Sequence, residues 1–406
     1  ALEQNNITYN YLNSLPYRDE IKEQLTKLYD YPRISTPFKK GNKIFYYKNS
    51  GLQNQSVLFY KKSNSEIENI LIDPNKLSSD GTTSLSMTKV SEDGNILAYG
   101  LSNSGSDWKE IFVRNINTGE DFIDHLLWVK WPSVSWLPDN SGFFYSRYPK
   151  PIEGDEYENI NSNQMVYFHT LGTNQSEDSL IYSDTNHPQW GFSSDITDDG
   201  AYLLLYVWEG TRNENLVYYK KRDTPEPFKP LISDWIGSFN IIGNDGSIFY
   251  VITDYLAPKN RIIKIDIKNP YQNNWIDIVP KSEYNLRKVK MINNEFICVY
   301  NRDIIDYMEI YSIDGKFKKV IQLPGLGTIS SISGTRQDNE MFFGFTSYLY
   351  PNTVFHHDFN LNKTEIFIEP EIQFNPTDFI SKQVFYYSKD STKIPMFIVH
   401  HKGLNK

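Results

Sequence analysis

Seven histidines, one cysteine and several adjacent acidic pairs are the residues of this 406-residue chain best suited to chemistry. The histidine pairs His356-His357 and His400-His401 invite a metal reading. Both lie in strand-like runs, where successive side chains point to opposite faces, so neighbours cannot share one ion. No metal or other cofactor is expected. Asp198-Asp199 offers two carboxylates for acid–base work, yet the following Gly200 marks a turn, where Asp is favoured for backbone reasons. The run 198–209 has the outer spacing of a calcium loop, but glycine and apolar residues fill its ligand positions. Gly325-Leu326-Gly327 follows a proline and lacks the later glycine and helix of a phosphate loop. The G-x-S-x-G turn that exposes a hydrolase serine is missing altogether.

The lone cysteine, Cys298, excludes an intrachain disulfide and a Cys-based structural zinc site, and it fits a reducing, cytoplasmic compartment. Its place in an apolar run makes it a small core residue. A net charge of −9 spread along the chain, without a basic block, disfavours nucleic acid as a partner. The longest apolar run, 202–208, falls far short of the ~20 residues that cross a bilayer, so no membrane partner is expected.

The elements that must position any site repeat along the chain. Seven polar turns occur at Lys40-Gly41-Asn42, Glu92-Asp93-Gly94, Asp139-Asn140-Ser141-Gly142, Asp198-Asp199-Gly200, Asn244-Asp245-Gly246, Asn293-Asn294 and Gln337-Asp338-Asn339. Each precedes a run rich in β-branched and aromatic residues: 43–48, 96–101, 143–147, 202–208, 248–253, 296–301 and 341–346. A second strand follows each of these, another precedes each turn, as at 85–90 and 129–136, and a weaker outer strand closes each unit. Four strands in each of seven units predict an all-β, seven-bladed propeller over residues 31–373. The stretch 149–163, polar and rich in Pro and acidic residues, reads as an excursion loop.

The ends do not fit the propeller. Residues 9–29 predict one helix with Leu12, Ile21, Leu25 and Leu28 as its apolar residues, within a helical segment 1–30. Runs 384–387 and 394–399 flank Lys389-Asp390-Ser391 and predict a hairpin within 374–406.

Literal strings then become informative. Tyr29-Asp-Tyr-Pro-Arg33, Asn49-Ser-Gly-Leu-Gln-Asn-Gln-Ser-Val57, Ser91-Glu-Asp-Gly-Asn-Ile-Leu-Ala-Tyr-Gly100, Ser104-Gly-Ser-Asp-Trp108, Leu171-Gly-Thr-Asn-Gln-Ser-Glu-Asp178 and Pro395-Met-Phe-Ile-Val-His-His-Lys-Gly403 closely resemble the prolyl oligopeptidase family of serine peptidases. The resemblance covers roughly residues 17–406. It implies a propeller inserted into an α/β-hydrolase, filtering short proline-containing peptides, with residues 1–30 and 374–406 as stubs of that hydrolase. The partner it implies is therefore the catalytic domain of the same parent protein. The family's Ser, Asp and His all follow the segment resembling 394–403, so no triad residue carries over and this chain alone is expected to be inactive.

Some propeller positions do carry over. Trp131 stands where the family has an aromatic, commonly Phe, lining the outer substrate site. Trp208 and Thr211 stand where relatives have Arg and Cys in an Arg-Glu-Gly-Cys stretch. Lys40, Glu92, Asp198 and Arg336 match charged positions at the narrow channel mouth, while Pro138 and Gln337 replace charged or titratable ones. A free-standing interaction scaffold, or the propeller of an oligopeptidase B-like enzyme, would share the repeat. The stubs argue against the first and the motif strings against the second.

Overall fold

A strand that buries both faces must be apolar where it is covered, and the strand after each turn marker is apolar through its middle: Phe45, Leu97, Phe143, Leu205, Phe249, Ile297 and Phe343 are fully enclosed. In the computed structural model, which describes residues 2–152, 154 and 160–404, each such strand is the second of an antiparallel sheet. Seven sheets follow in chain order, and they form a seven-bladed propeller. Blade 2 shows the pattern: Ser84–Val90, Ile96–Ser102, Lys109–Asn115 and Asp121–Val129 pair in sequence, innermost to outermost.

Blade 1 departs from four strands. Two short pieces, Arg33–Ile34 and Phe38–Lys40, share the innermost position against Lys43–Asn49, so its sheet has 5 strands. The expected strand over 129–136 is also corrected. Asp121–Val129 ends blade 2, only Val134–Trp136 forms the innermost strand of blade 3, and Trp131 lies in the irregular link between them. Trp128 (φ 66°) near the end of that strand and Trp131 (φ 48°) in the link take left-handed backbone conformations, which are costly for bulky residues. The excursion loop lies in blade 3, between Gly142–Arg147 and Met165–Thr170, with residues 153 and 155–159 outside the described residues.

The apolar cores lie between blades. One cluster joins Leu204, Val217 and Tyr219 of blade 4 to Phe249, Val251 and Ile263 of blade 5. Similar clusters fill the other consecutive interfaces, and burial of this kind is worth about 25 cal/mol per Å². Blades 7 and 1 meet through polar contacts: the hydroxyls of Thr36 and Ser331 lie 2.5 Å apart, and Lys39 pairs with Glu340. The turns also interlock. Gly41 and Gly94 both have positive φ, and a Cβ on either would lie 2.1 Å and 2.3 Å from the Asp93 and Lys40 carbonyl oxygens respectively.

The N-terminal helix is two helices, α1 (Leu2–Asn13) and α2 (Arg18–Tyr29), interrupted around Pro16, whose ring cannot sit within a continuous helix. Neither buries a residue. The C-terminal hairpin pairs Phe379–Tyr387 with Lys393–His401, so the first strand starts five residues before the predicted run and the second exceeds its run at both ends. It touches the propeller where Phe397 meets the Tyr348 ring, centroids 5.1 Å apart. Cys298 is buried and free, and burial pushes its thiol pKa up, which keeps it in the unreactive form.

Candidate functional site

The innermost strand of each blade lines the central channel and so carries polar residues on one face. Lys89 of blade 2, Ser135 of blade 3, Asp195 of blade 4, Asn240 of blade 5 and Lys290 of blade 6 border its cavities. Three cavities follow one another. One of about 220 Å³ lies at the turn end, one of about 600 Å³ is bordered by blades 2–5, and one of about 420 Å³ by blades 5–7. The first two share Lys89, Ser135 and Asp195, and the last two share Asn240, so consecutive cavities meet at common wall residues.

At the turn end, Lys40, Glu92 and Asp198 border the same cavity as Pro138 and Gln337. Lys40 and Glu92 form an ion pair between the turns of blades 1 and 2. Burial raises the Asp198 carboxyl above its ordinary range, and neighbouring Asp195 adds to the effect while Arg336 opposes it. Asp195 is raised in the same way, by enclosure within the ring, with Lys89 opposing. Arg336 itself is committed elsewhere. Its guanidinium donates to the Asn294 side chain (2.8 Å) and the Asn244 carbonyl (2.6 Å) and pairs with Asp245 (2.6 Å), tying three turns together.

The two tryptophans sit at the other end. In blade 4, Gly191 pairs with Trp208 while Ile196 pairs with Leu203 beside the turn, so Trp208 is several residues of ~3.3 Å rise from the mouth. Trp131 and Trp208 meet edge to face, centroids 5.6 Å apart, and Trp131 remains 58% exposed. Trp208 borders the largest cavity together with Arg212 and Glu214. Thr211 is exposed in the following turn and is not among that cavity's lining residues.

Arg212, Glu214, Lys89, Asp195 and Lys290 are the site residues that the sequence reading missed. Arg212 spans Glu209 (2.9 Å) and Glu214 (3.8 Å) while its guanidinium lies 4.8 Å from the Trp235 ring centroid. The signal for Lys89, Asp195 and Lys290 was present as polar residues in the strand immediately before a turn marker, whereas Arg212 and Glu214 lie in the loop after Tyr202–Glu209.

Gly191 makes the tryptophan pair possible. A Cβ there would lie 2.0 Å from the Trp208 ring, so the indole rests directly against backbone. Gly191→Ala is therefore expected to displace Trp208 and destabilise the fold by about 1–3 kcal/mol, as overpacking generally does. Near-ultraviolet circular dichroism and denaturant midpoints check this. An unchanged aromatic spectrum would show that the pair does not depend on the missing side chain.

Among the described residues, no group of three or more His, Cys, Asp or Glu is arranged to hold a metal ion, and no helix is long and apolar enough to cross a membrane.

Comparison with known proteins adds the context of this channel. Residues 2–370 match the family model described as prolyl oligopeptidase, N-terminal beta-propeller domain. A prolyl endopeptidase from Elizabethkingia meningoseptica is 38% identical over 399 residues, which cover 98% of this chain and 56% of the relative. A structure solved in a study of two prolyl endopeptidases superposes with a TM-score of 0.91 at 29% identity, covering 100% of this chain and 59% of that one. Prolyl oligopeptidase B from Galerina marginata, bound to a 35mer hydrolysis and macrocyclization substrate, gives a TM-score of 0.89 at 29% identity and covers 98% of this chain and 59% of that one. The chain thus spans a little over half the length of these relatives.

Proposed function

The chain belongs to the family of prolyl oligopeptidase N-terminal β-propellers, and from that premise we propose that it is the substrate-gating domain of a serine endopeptidase that cuts short peptides after proline. The observation that carries this is the run of cavities along the propeller axis, about 220 Å³ at the charged turns and about 600 Å³ beside Trp208, which in turn meets Trp131. Lys40, Glu92 and Asp198 form the narrow end, where a bulky apolar segment must strip water from charges in order to pass. Arg336 supports that end by holding the turns in place. Trp131 and Trp208 are the surfaces that receive a peptide on the side facing the hydrolase, with Thr211 at their edge. The cytoplasm, with its reducing conditions, is the compartment this reading assigns, in keeping with a single buried thiol.

Residues 1–30 and 374–406 belong, on this reading, to the α/β-hydrolase, and the triad comes from that domain. Two helices without a buried residue and a hairpin outside the blades favour it over a free-standing scaffold.

The chain alone is expected not to turn over a fluorogenic proline peptide, because on this reading the nucleophile, the base and its orienting acid belong to the hydrolase domain. Fused in place of the propeller of the Elizabethkingia relative, it should permit hydrolysis of a short proline peptide and exclude an unfolded protein of a hundred or so residues. A folded chimera that cleaves both equally fast would refute the gating role.

A further inference from the structure

The charges of the channel are not evenly matched around the ring. The largest cavity sets Lys89 and Arg212 against Asp195 and Glu214, and the mouth sets Lys40 and Lys89 against Glu92, Asp195 and Asp198. The cavity of about 420 Å³ is different. Arg287, Lys288 and Lys290 of the blade 6 inner strand border it, and no carboxylate does. Arg287 is neutralised by buried Asp306, which also accepts the Ile329 N–H at 2.7 Å. Lys288 donates only to a neutral group, the Ser330 carbonyl. Among the described residues, the Lys290 ammonium has neither a hydrogen bond nor an ion pair, and the carboxylates acting on it, Asp198 and Asp338, are those of the mouth turns.

Two lysines without an ion pair therefore share a wall with Asn240, Ser330 and Ser331. Val289, Ile252 and Ile332 supply apolar surface on the same wall. The size lies within the ~300–1,000 Å³ range of ligand cavities. Ammonium groups of this kind bind carboxylates through charge-assisted hydrogen bonds, which are about twice as strong as neutral ones. An anion here would also offset the mutual repulsion of Lys290 with Lys40 and Lys89.

We infer that the blade 6 wall, centred on Lys290 and Lys288, is a carboxylate-binding subsite that holds the anionic end of a short peptide inside the channel. The gating reading supplies only the word peptide; the anionic character follows from the wall itself.

The test is calorimetric titration of the full chain with Ala-Gly-Pro-Ala as free acid, as its C-terminal amide, and with amidated Ala-Gly-Pro-Glu. The free acid is expected to bind at least about tenfold more tightly than the amide, the worth of one charge-assisted hydrogen bond. Lys290→Gln should remove that preference, Lys290→Arg should keep it, and Lys268→Gln, an exposed turn lysine on blade 5, should leave it unchanged. Tight binding of the amidated Glu peptide extends the subsite to acidic side chains, and weak binding restricts it to free C-termini. Should Lys290→Gln fail to fold by circular dichroism, Lys288→Gln serves in its place. Equal affinity for acid and amide, or a preference that survives loss of the lysine charge, overturns the subsite. No peptidase activity enters this test, so its failure leaves the gating reading standing, and failure of the chimera leaves the subsite standing.

Discussion

Replacing His169 by alanine is expected to destabilise the protein by about 3–5 kcal/mol, the loss typical of breaking a buried ion pair from one side. His169 lies in the third strand of blade 3, fully buried, between two equally buried carboxylates. Its Nε2 is 2.8 Å from Asp124 of blade 2, and its Nδ1 is 2.7 Å from Asp178. Carboxylates only accept, so satisfying both requires a protonated imidazole with two N–H donors. The network reaches further, since Asp124 accepts the Gly172 N–H at 2.8 Å and Asp178 accepts the Tyr145 hydroxyl at 2.6 Å. Gln175 bonds both the N–H and the carbonyl of Leu127 at 3.1 Å, completing a polar link between blades 2 and 3. Alanine would leave two buried carboxylates facing one another across a void.

The same geometry fixes a pH dependence. Burial disfavours the imidazolium, but the hydrogen bonds and charges of Asp124 and Asp178 outweigh it and raise the His169 pKa to about 9. The unfolded chain has an ordinary histidine, near ~6.5. A folded-state pKa above the unfolded one adds stability that is fully present below ~6.5 and is lost as pH rises through about 9. Unfolding free energy should therefore fall across that window in the wild type, and the His169→Ala variant should lack that component of the slope. Denaturant titrations followed by far-ultraviolet circular dichroism at a series of pH values measure both. Parallel pH profiles would mean that His169 is not the titrating group.

This latch shows why some of the molecule was legible in the sequence and some was not. The second strands announce themselves because they are apolar on both faces and follow Gly- or Asn-containing turns, as in Asp198-Asp199-Gly200 before Tyr202–Glu209. Local pattern alone identifies them. The inner strand of blade 3 misled because Val129–Trp136 reads as one β-branched and aromatic run, while the chain bends through Trp128 and Trp131 to pass between blades. Pro132 in the middle of that run was the local mark of the break, since a proline cannot donate to a strand ladder. His169 was passed over because its partner Asp124 is 45 residues away, in another blade. Lys290 was missed because a lysine in an amphipathic strand faces solvent in the usual case, and only closure of the ring turns that solvent into a channel. The turn charges at Lys40, Glu92 and Asp198 were visible since turns are local, although Arg336 proved to bind its neighbours more than to face the opening.

The second large effect expected is the appearance of peptidase activity when this chain is mixed with a separately produced α/β-hydrolase portion carrying the triad. Ile21, Leu25 and Leu28 of α2 are each about half exposed, and Phe385 and Met396 of the hairpin are exposed too, while Leu12 and Ile398 are half-buried. Apolar side chains gathered on elements outside the blades form the kind of surface that marks an interface. On the proposed reading these elements complete the hydrolase, so their docking both covers apolar area and places the channel over the nucleophile. Neither portion alone should hydrolyse a fluorogenic proline peptide, and the mixture should do so with co-elution on size-exclusion chromatography. Carboxylates introduced by Leu25→Glu and Met396→Glu would have to be desolvated on docking, at about 1–3 kcal/mol or more each. That should weaken association by roughly tenfold or more per substitution without changing the turnover of whatever complex still forms. A purely structural role of these side chains within the chain would instead lower its own melting temperature and leave the association constant untouched. If folded portions neither co-elute nor gain activity at micromolar concentrations, the stubs do not dock a hydrolase, and a propeller serving as an interaction scaffold becomes the better account of the exposed apolar surface.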